Sequence, residues 1–113
     1  MVVFTLRVVT TPARRRQLAS LVEPMLEPTR VEPGCLSCTL YADAGDPRAL
    51  LLVEEWASQP ALDRHLQSDA RKALIATMEM SSQAPVVRFD TVLRREGLEV
   101  IETALARGQA TQS

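Results

Sequence analysis

The stretch Cys35-Leu36-Ser37-Cys38-Thr39-Leu40-Tyr41-Ala42-Asp43-Ala44-Gly45-Asp46-Pro47-Arg48-Ala49-Leu50-Leu51-Leu52-Val53-Glu54-Glu55-Trp56 decides the fold. Its first part, Cys35 to Ala42, alternates as a strand does. Ala44-Gly45-Asp46-Pro47 carries the residues of a tight hairpin turn. A second strand follows at once from Ala49 to Trp56, so the pair reads as a β-hairpin. Leu50 to Val53 put apolar groups on both faces of that second strand, and Leu52, Glu54 and Trp56 share one of them. In a strand, Cys35 and Cys38 lie about 10 Å apart with side chains on opposite faces, too far for a disulfide. The sequence has no second Cys pair and a single His, so no zinc set is expected.

On the N-terminal side, Val2 to Val9 reads as a strand with faces Val2/Phe4/Leu6/Val8 and Val3/Thr5/Arg7/Val9, neither cleanly polar. Thr10 or Thr11 before Pro12 starts a helix. Leu18, Leu21, Val22, Met25 and Leu26 form its buried stripe, and Arg14-Arg15-Arg16 its solvated start. Pro24 predicts a kink or break in that helix, and Pro28 with Pro33-Gly34 its end. On the C-terminal side, Ser58-Gln59-Pro60 opens a short helix over Ala61 to Gln67, and Ser68-Asp69 caps another from Ala70 to about Met80. A fourth strand is expected from Val86 to Arg95, with Val87, Phe89, Thr91 and Leu93 on one face. Residues 97–113 form a helix or arm around Leu98, Ile101 and Leu105, and the last five residues read as disordered.

The order β-α-β-β-α-α-β predicts a ferredoxin-like α+β domain over residues 1–96, with a four-stranded antiparallel sheet covered by helices on one side. The apolar residues on the other face predict a partner sheet, hence a homodimer. A chain of 113 residues with 46% hydrophobic and 24% charged residues has room for one globular domain and no more. Its net charge of −1 gives no general attraction to nucleic acid or anionic membranes, and 4% aromatics are too few to stack bases. The apolar run Ala49 to Val53 is far too short for a membrane span, and no basic segment precedes the apolar N-terminal stretch as in a signal peptide. A cytoplasmic protein is expected.

Glu32-Pro33-Gly34-Cys35 leads into the second strand, Glu54-Glu55-Trp56 ends the third, and His65-Leu66-Gln67-Ser68 follows on the next helix. In this order and spacing the chain resembles the antibiotic biosynthesis monooxygenase superfamily of dimeric α/β barrels, from about Met1 to Arg95. The resemblance implies cofactor-independent oxidation of a quinol-like or polyketide aromatic bound between sheet and helices. The substrate is deprotonated and its anion reacts directly with oxygen. That chemistry needs a base, a dry apolar cavity and donors for developing negative charge.

Trp56 matches the family's strand tryptophan beside the cavity and would also anchor a core. His65 matches the histidine of the following helix and is the natural proton-transfer group near neutral pH, with a structural hydrogen bond as its other reading. Leu52, Glu54, Tyr41 and Arg88 are candidate substrate contacts, with Arg88 a possible ion-pair partner for Glu54. The sequence contains no Asn. Anthrone-type members use an Asn beside the Trp, where this strand face offers Leu52. Haem-degrading members use an Asn on the first strand and a His on a later helix, where this chain has Thr5 and Ile75 or its neighbours. Haem degradation is thereby disfavoured, and a His-assisted oxygenation remains. The alternatives are a non-catalytic dimeric module binding a small apolar ligand, and a non-redox isomerase or lyase using His65.

Overall fold

A computed structural model describes residues 1–112, with side chains through Ala110. The elements are β1 (Val2–Val9), α1 (Pro12–Arg30), β2 (Cys35–Ala42), β3 (Ala49–Trp56), α2 (Gln59–Gln67), α3 (Ala70–Glu79), β4 (Val86–Thr91) and α4 (Glu99–Gln112). The strands form one antiparallel sheet in the order β2-β3-β1-β4, the arrangement of a ferredoxin-like α+β domain.

Register divides the sheet into two faces. Phe4 stands opposite both Glu54 and Phe89, and Leu6 opposite both Leu52 and Val87. Val2, Phe4, Leu6 and Val8 therefore point to the helices with Leu50, Leu52, Glu54 and Trp56, and all eight are buried. Leu18 and Val22 of α1 pack on them with Cys38, forming the main core. Val2, Trp56, Ala61 and Leu62 form a second cluster that seats α2. Burying a side chain such as Leu18 or Leu62 contributes roughly 1.5–3 kcal/mol. The opposite face, with Val3, Thr5, Leu51 and Val53, is covered by no helix and is only half-buried.

The local signals explain most boundaries. Thr11 caps α1 by accepting the Arg14 N–H, and Ser58 caps α2 by accepting that of Ala61. Ser68 rather than Asp69 serves α3, its Oγ accepting from Ala70 N.

Several expectations need correction. Helix α1 runs unbroken through Pro24 and Pro28. Both rings lie on its exposed side, where water can satisfy the carbonyls they leave without a donor. Leu21 is exposed, so the buried stripe is Leu18/Val22 with Met25 and Leu26 partly covered. Strand β4 ends at Thr91, because its partner β1 starts at Val2 and offers no further rungs. Beyond it Val92 donates its N–H to Met1 O, and Arg95 pairs with Glu55.

The two cysteines share a face. A bulge at Leu36 lets Cys35 stand opposite Trp56 and Cys38 opposite Glu54, two residues apart on β3. Both are free thiols. Helix α4 continues through Gln112, past the point where disorder was expected, and Ser113 lies outside the described residues. Its Ile101 and Leu105 are exposed, as is Leu98 just before it.

Candidate functional site

The end of β3, the turn into β2 and helix α2 bring three ionisable side chains together. His65 is 2% exposed, and its Nδ1 lies 2.6 Å from Glu32 Oε2. Its Nε2 lies 3.3 Å from Oε1 of Glu54, itself 2% exposed. Trp56 donates its Nε1–H to the same Glu54 oxygen at 3.1 Å, and its ring packs on the imidazole with centroids 4.7 Å apart. Glu32 is the outer member, its side chain 30% exposed.

Each position has a local cause. Glu54 and Trp56 point the same way because they are two apart on a strand. His65 faces them because it continues the α2 face that buries Ala61 and Leu62. Glu32 is placed by the turn into β2, where Gly34 takes φ +84° and a Cβ on it would stand 2.5 Å from Ala61 Cβ. The absence of a Cβ lets the turn close against α2, with Glu32 beside His65.

Burial pushes the His65 pKa down and is the largest single influence. The hydrogen bond and charge of Glu54, then those of Glu32, together outweigh it and hold the pKa above its ordinary value. The imidazole is thus favoured in its charged form, with both ring nitrogens facing carboxylates. Burial above all, then the Glu54 charge, pushes the Cys38 thiol up to about 12, so it is no nucleophile at neutral pH.

Beside this array a crevice of about 320 Å³, measured to its open mouth, lies between the sheet and helices α1 and α3. Its walls are mainly apolar, with Val22, Leu52 and Leu74 beside Glu54, His65 and Thr77. The enclosed part has room for about one water, so a larger guest requires α3 to yield. Helix α3 has no buried residue and is suited to doing so. Among the described residues no group of three or more His, Cys, Asp or Glu is arranged to hold a metal ion.

Of the sequence candidates, Leu52, Glu54, Trp56 and His65 come together. Tyr41 and Arg88 do not. Tyr41 stands opposite Leu51 and Arg88 opposite Thr5, both on the helix-free face. Glu54 is partnered by Trp56 and His65, not by Arg88. Ile75 is exposed and lies outside the crevice, whose α3 wall is Ala70, Ala73, Leu74 and Thr77. Glu32, noted in the sequence only as part of the approach to β2, proves to be the first partner of His65.

Fold and site define an α+β domain of ferredoxin-like topology with a carboxylate–imidazole–carboxylate array beside a helix-covered crevice. The chain belongs to the antibiotic biosynthesis monooxygenase family, whose model matches residues 1–77. Among individual proteins it is similar to Rv0793 of Mycobacterium tuberculosis, provisionally named a monooxygenase, at 42% identity over 59 residues. That match spans 52% of this chain and 57% of Rv0793. The uncharacterized protein sll1783 of Synechocystis is 35% identical over 57 residues, 50% of this chain and 39% of that protein. The matched part of this chain thus spans less than two thirds of either relative. In three dimensions Rv0793 superimposes with a TM-score of 0.75 at 30% identity, covering 85% of this chain and 98% of that one. A Deinococcus radiodurans protein at 20% identity shares the fold with a TM-score of 0.77, covering 87% of this chain and 98% of its own.

Proposed function

We propose that the protein is a cofactor-independent monooxygenase that oxidises a small quinol-like or polyketide aromatic with molecular oxygen. The observation that carries this reading is His65, buried between two carboxylates at the edge of an apolar crevice. Both ring nitrogens are engaged, so His65 works as a relay between carboxylates rather than as a free base. A substrate hydroxyl or activated C–H gives its proton to Glu54. His65 passes positive charge toward Glu32, and Glu32 exchanges it with solvent. The substrate anion then reacts with oxygen in a site with little room for water. Trp56 is a positioning residue, since its N–H holds Glu54.

The test is oxygen uptake without added flavin or nicotinamide, over a panel of hydroquinones and anthrones, with wild type and His65→Ala side by side. Uptake above autoxidation that disappears in the variant is expected. No uptake by folded protein overturns the reading. A relay of this kind also serves enolisation, which favours a non-redox isomerase as the second reading. Anaerobic conversion of a ketone substrate would select it.

We further propose a homodimer through the helix-free face, where half-buried Val3, Leu51 and Val53 lie together. In it, Tyr41 and Arg88 belong to the interface rather than the crevice. Sedimentation at micromolar concentration tests this, and a monomer there refutes it.

A further inference from the structure

The crevice opens outward through a groove formed by the second half of α1 and the α2–α3 junction. The two share Met25, Thr29 and Ala70, so the groove is the approach to the crevice. Among the described residues, the acidic side chains lining this route are Asp69, Glu32 and Glu54, joined by the ionisable His65 and Cys38, with no Lys or Arg. Asp69 is fully in solvent, 3.7 Å from Lys72, and is screened. Glu32 and Glu54 are the charges a ligand meets. Two carboxylates against one imidazole leave the route negative whichever protonation state His65 adopts.

Glu54 also has an unused acceptor. Its Oε1 takes the Trp56 N–H and faces His65, whereas its Oε2 has no donor among the described residues, in a side chain only 3% exposed that lines the crevice. Among the described residues the fully buried side-chain oxygen without a partner is Thr10 Oγ1, so Glu54 Oε2 keeps contact with the open space beside it, which holds about one water. A ligand that displaces that water must bring a donor of its own.

We propose that the crevice selects an uncharged aromatic hydroxyl compound, with the hydroxyl donated to Glu54 Oε2, and that Glu32 and Glu54 together reject the same skeleton bearing a carboxylate or sulfonate. This rests on reading the crevice as the substrate site. A ring hydroxyl supplies the missing donor through a charge-assisted hydrogen bond. An ether of the same shape leaves the oxygen unpaired, and such sites discriminate strongly. An anionic substituent adds a like charge in a poorly hydrated space.

Three stable probes test it by calorimetric titration at neutral pH: 1-naphthol, 1-methoxynaphthalene and 1-hydroxy-2-naphthoate. 1-Naphthol is expected to bind at least tenfold more tightly than either of the others. Glu32→Gln is expected to raise the affinity for the naphthoate relative to that for 1-naphthol by at least threefold, and a melting curve verifies that the variant is folded. Glu54→Gln, which places an amide where the free carboxylate oxygen stood, is expected to abolish the preference for hydroxyl over ether. Equal or tighter binding of the naphthoate overturns the proposal, as does equal binding of the ether or no measurable binding of 1-naphthol. Binding is read without turnover, so two failures separate. Selective 1-naphthol binding with no oxygen uptake on any hydroquinone removes the oxygenase reading and leaves the selection standing. Oxygen uptake undiminished by a ring carboxylate removes the selection alone.

Discussion

Replacing Gly34 by Ala should strike the fold and the site together. Gly34 sits at φ +84°, where an L residue costs about 1–2 kcal/mol. Its new Cβ would stand 2.5 Å from Ala61 Cβ, whereas carbon atoms in good contact are about 3.5–4.0 Å apart. Helix α2 would have to retreat by roughly 1 Å or more, and overpacking of this kind costs about 1–3 kcal/mol. The sum is a loss of about 2–5 kcal/mol, measurable by urea unfolding monitored by far-UV circular dichroism. Ala61→Gly separates the two causes. Alone it costs up to about 1 kcal/mol of helix propensity. Combined with Gly34→Ala it removes the overlap and leaves the backbone strain, so the double variant should be about 1–3 kcal/mol more stable than additivity predicts. A loss below about 1 kcal/mol for Gly34→Ala, or strict additivity in the double variant, would refute this account of the turn.

Trp56→Phe keeps an aromatic ring but removes the donor to a buried carboxylate. It should cost about 2–3 kcal/mol in the same unfolding assay, and a change under about 0.5 kcal/mol would show that the bond is dispensable. The His65 pKa is raised in the folded state, so the stability it contributes is fully present below the unfolded value of about 6.5 and is lost as pH rises through the folded value. Unfolding free energies from pH 5 to 9 should show this decline, and Glu32→Gln should move the NMR titration midpoint of His65 downward. An unmoved midpoint would remove Glu32 from the array. Residues 1–96 should fold by themselves, because exposed Leu98, Ile101 and Leu105 contribute little to the core. A chain ending at Glu96 is expected to unfold within about 0.5 kcal/mol of the full chain, and a clear loss would assign α4 a structural role.

Much of this architecture was legible in the sequence. Alternation placed β2, apolar runs placed β1 and β3, and the hairpin turn joined β2 to β3. Parity put Leu52, Glu54 and Trp56 on one face. What parity cannot supply is which face of a neighbouring strand meets it. Tyr41 and Arg88 therefore looked available to the crevice, and register sends them to the other side. The bulge at Leu36 is equally silent in alternation, yet it turns Cys35 to the face of Cys38. Pro24 misleads because the rule for a helix interior assumes that the lost hydrogen bond goes unreplaced, whereas this ring lies on the solvent side. Glu32 is separated from His65 by 33 positions, and only the closure of α2 over the Gly34 turn makes them neighbours. Its acid sat in view before Pro33-Gly34, but nothing local names its partner.

Trp56 is the only tryptophan in the chain, and its ring lies against His65. The whole indole emission of the protein therefore arises at a single point beside the carboxylate–imidazole array. An imidazolium accepts an electron from an excited indole more readily than a neutral imidazole does. Fluorescence intensity followed against pH thus reads the charge on this one histidine directly, without any label or substrate. The same packing that anchors α2 makes the molecule its own proton meter.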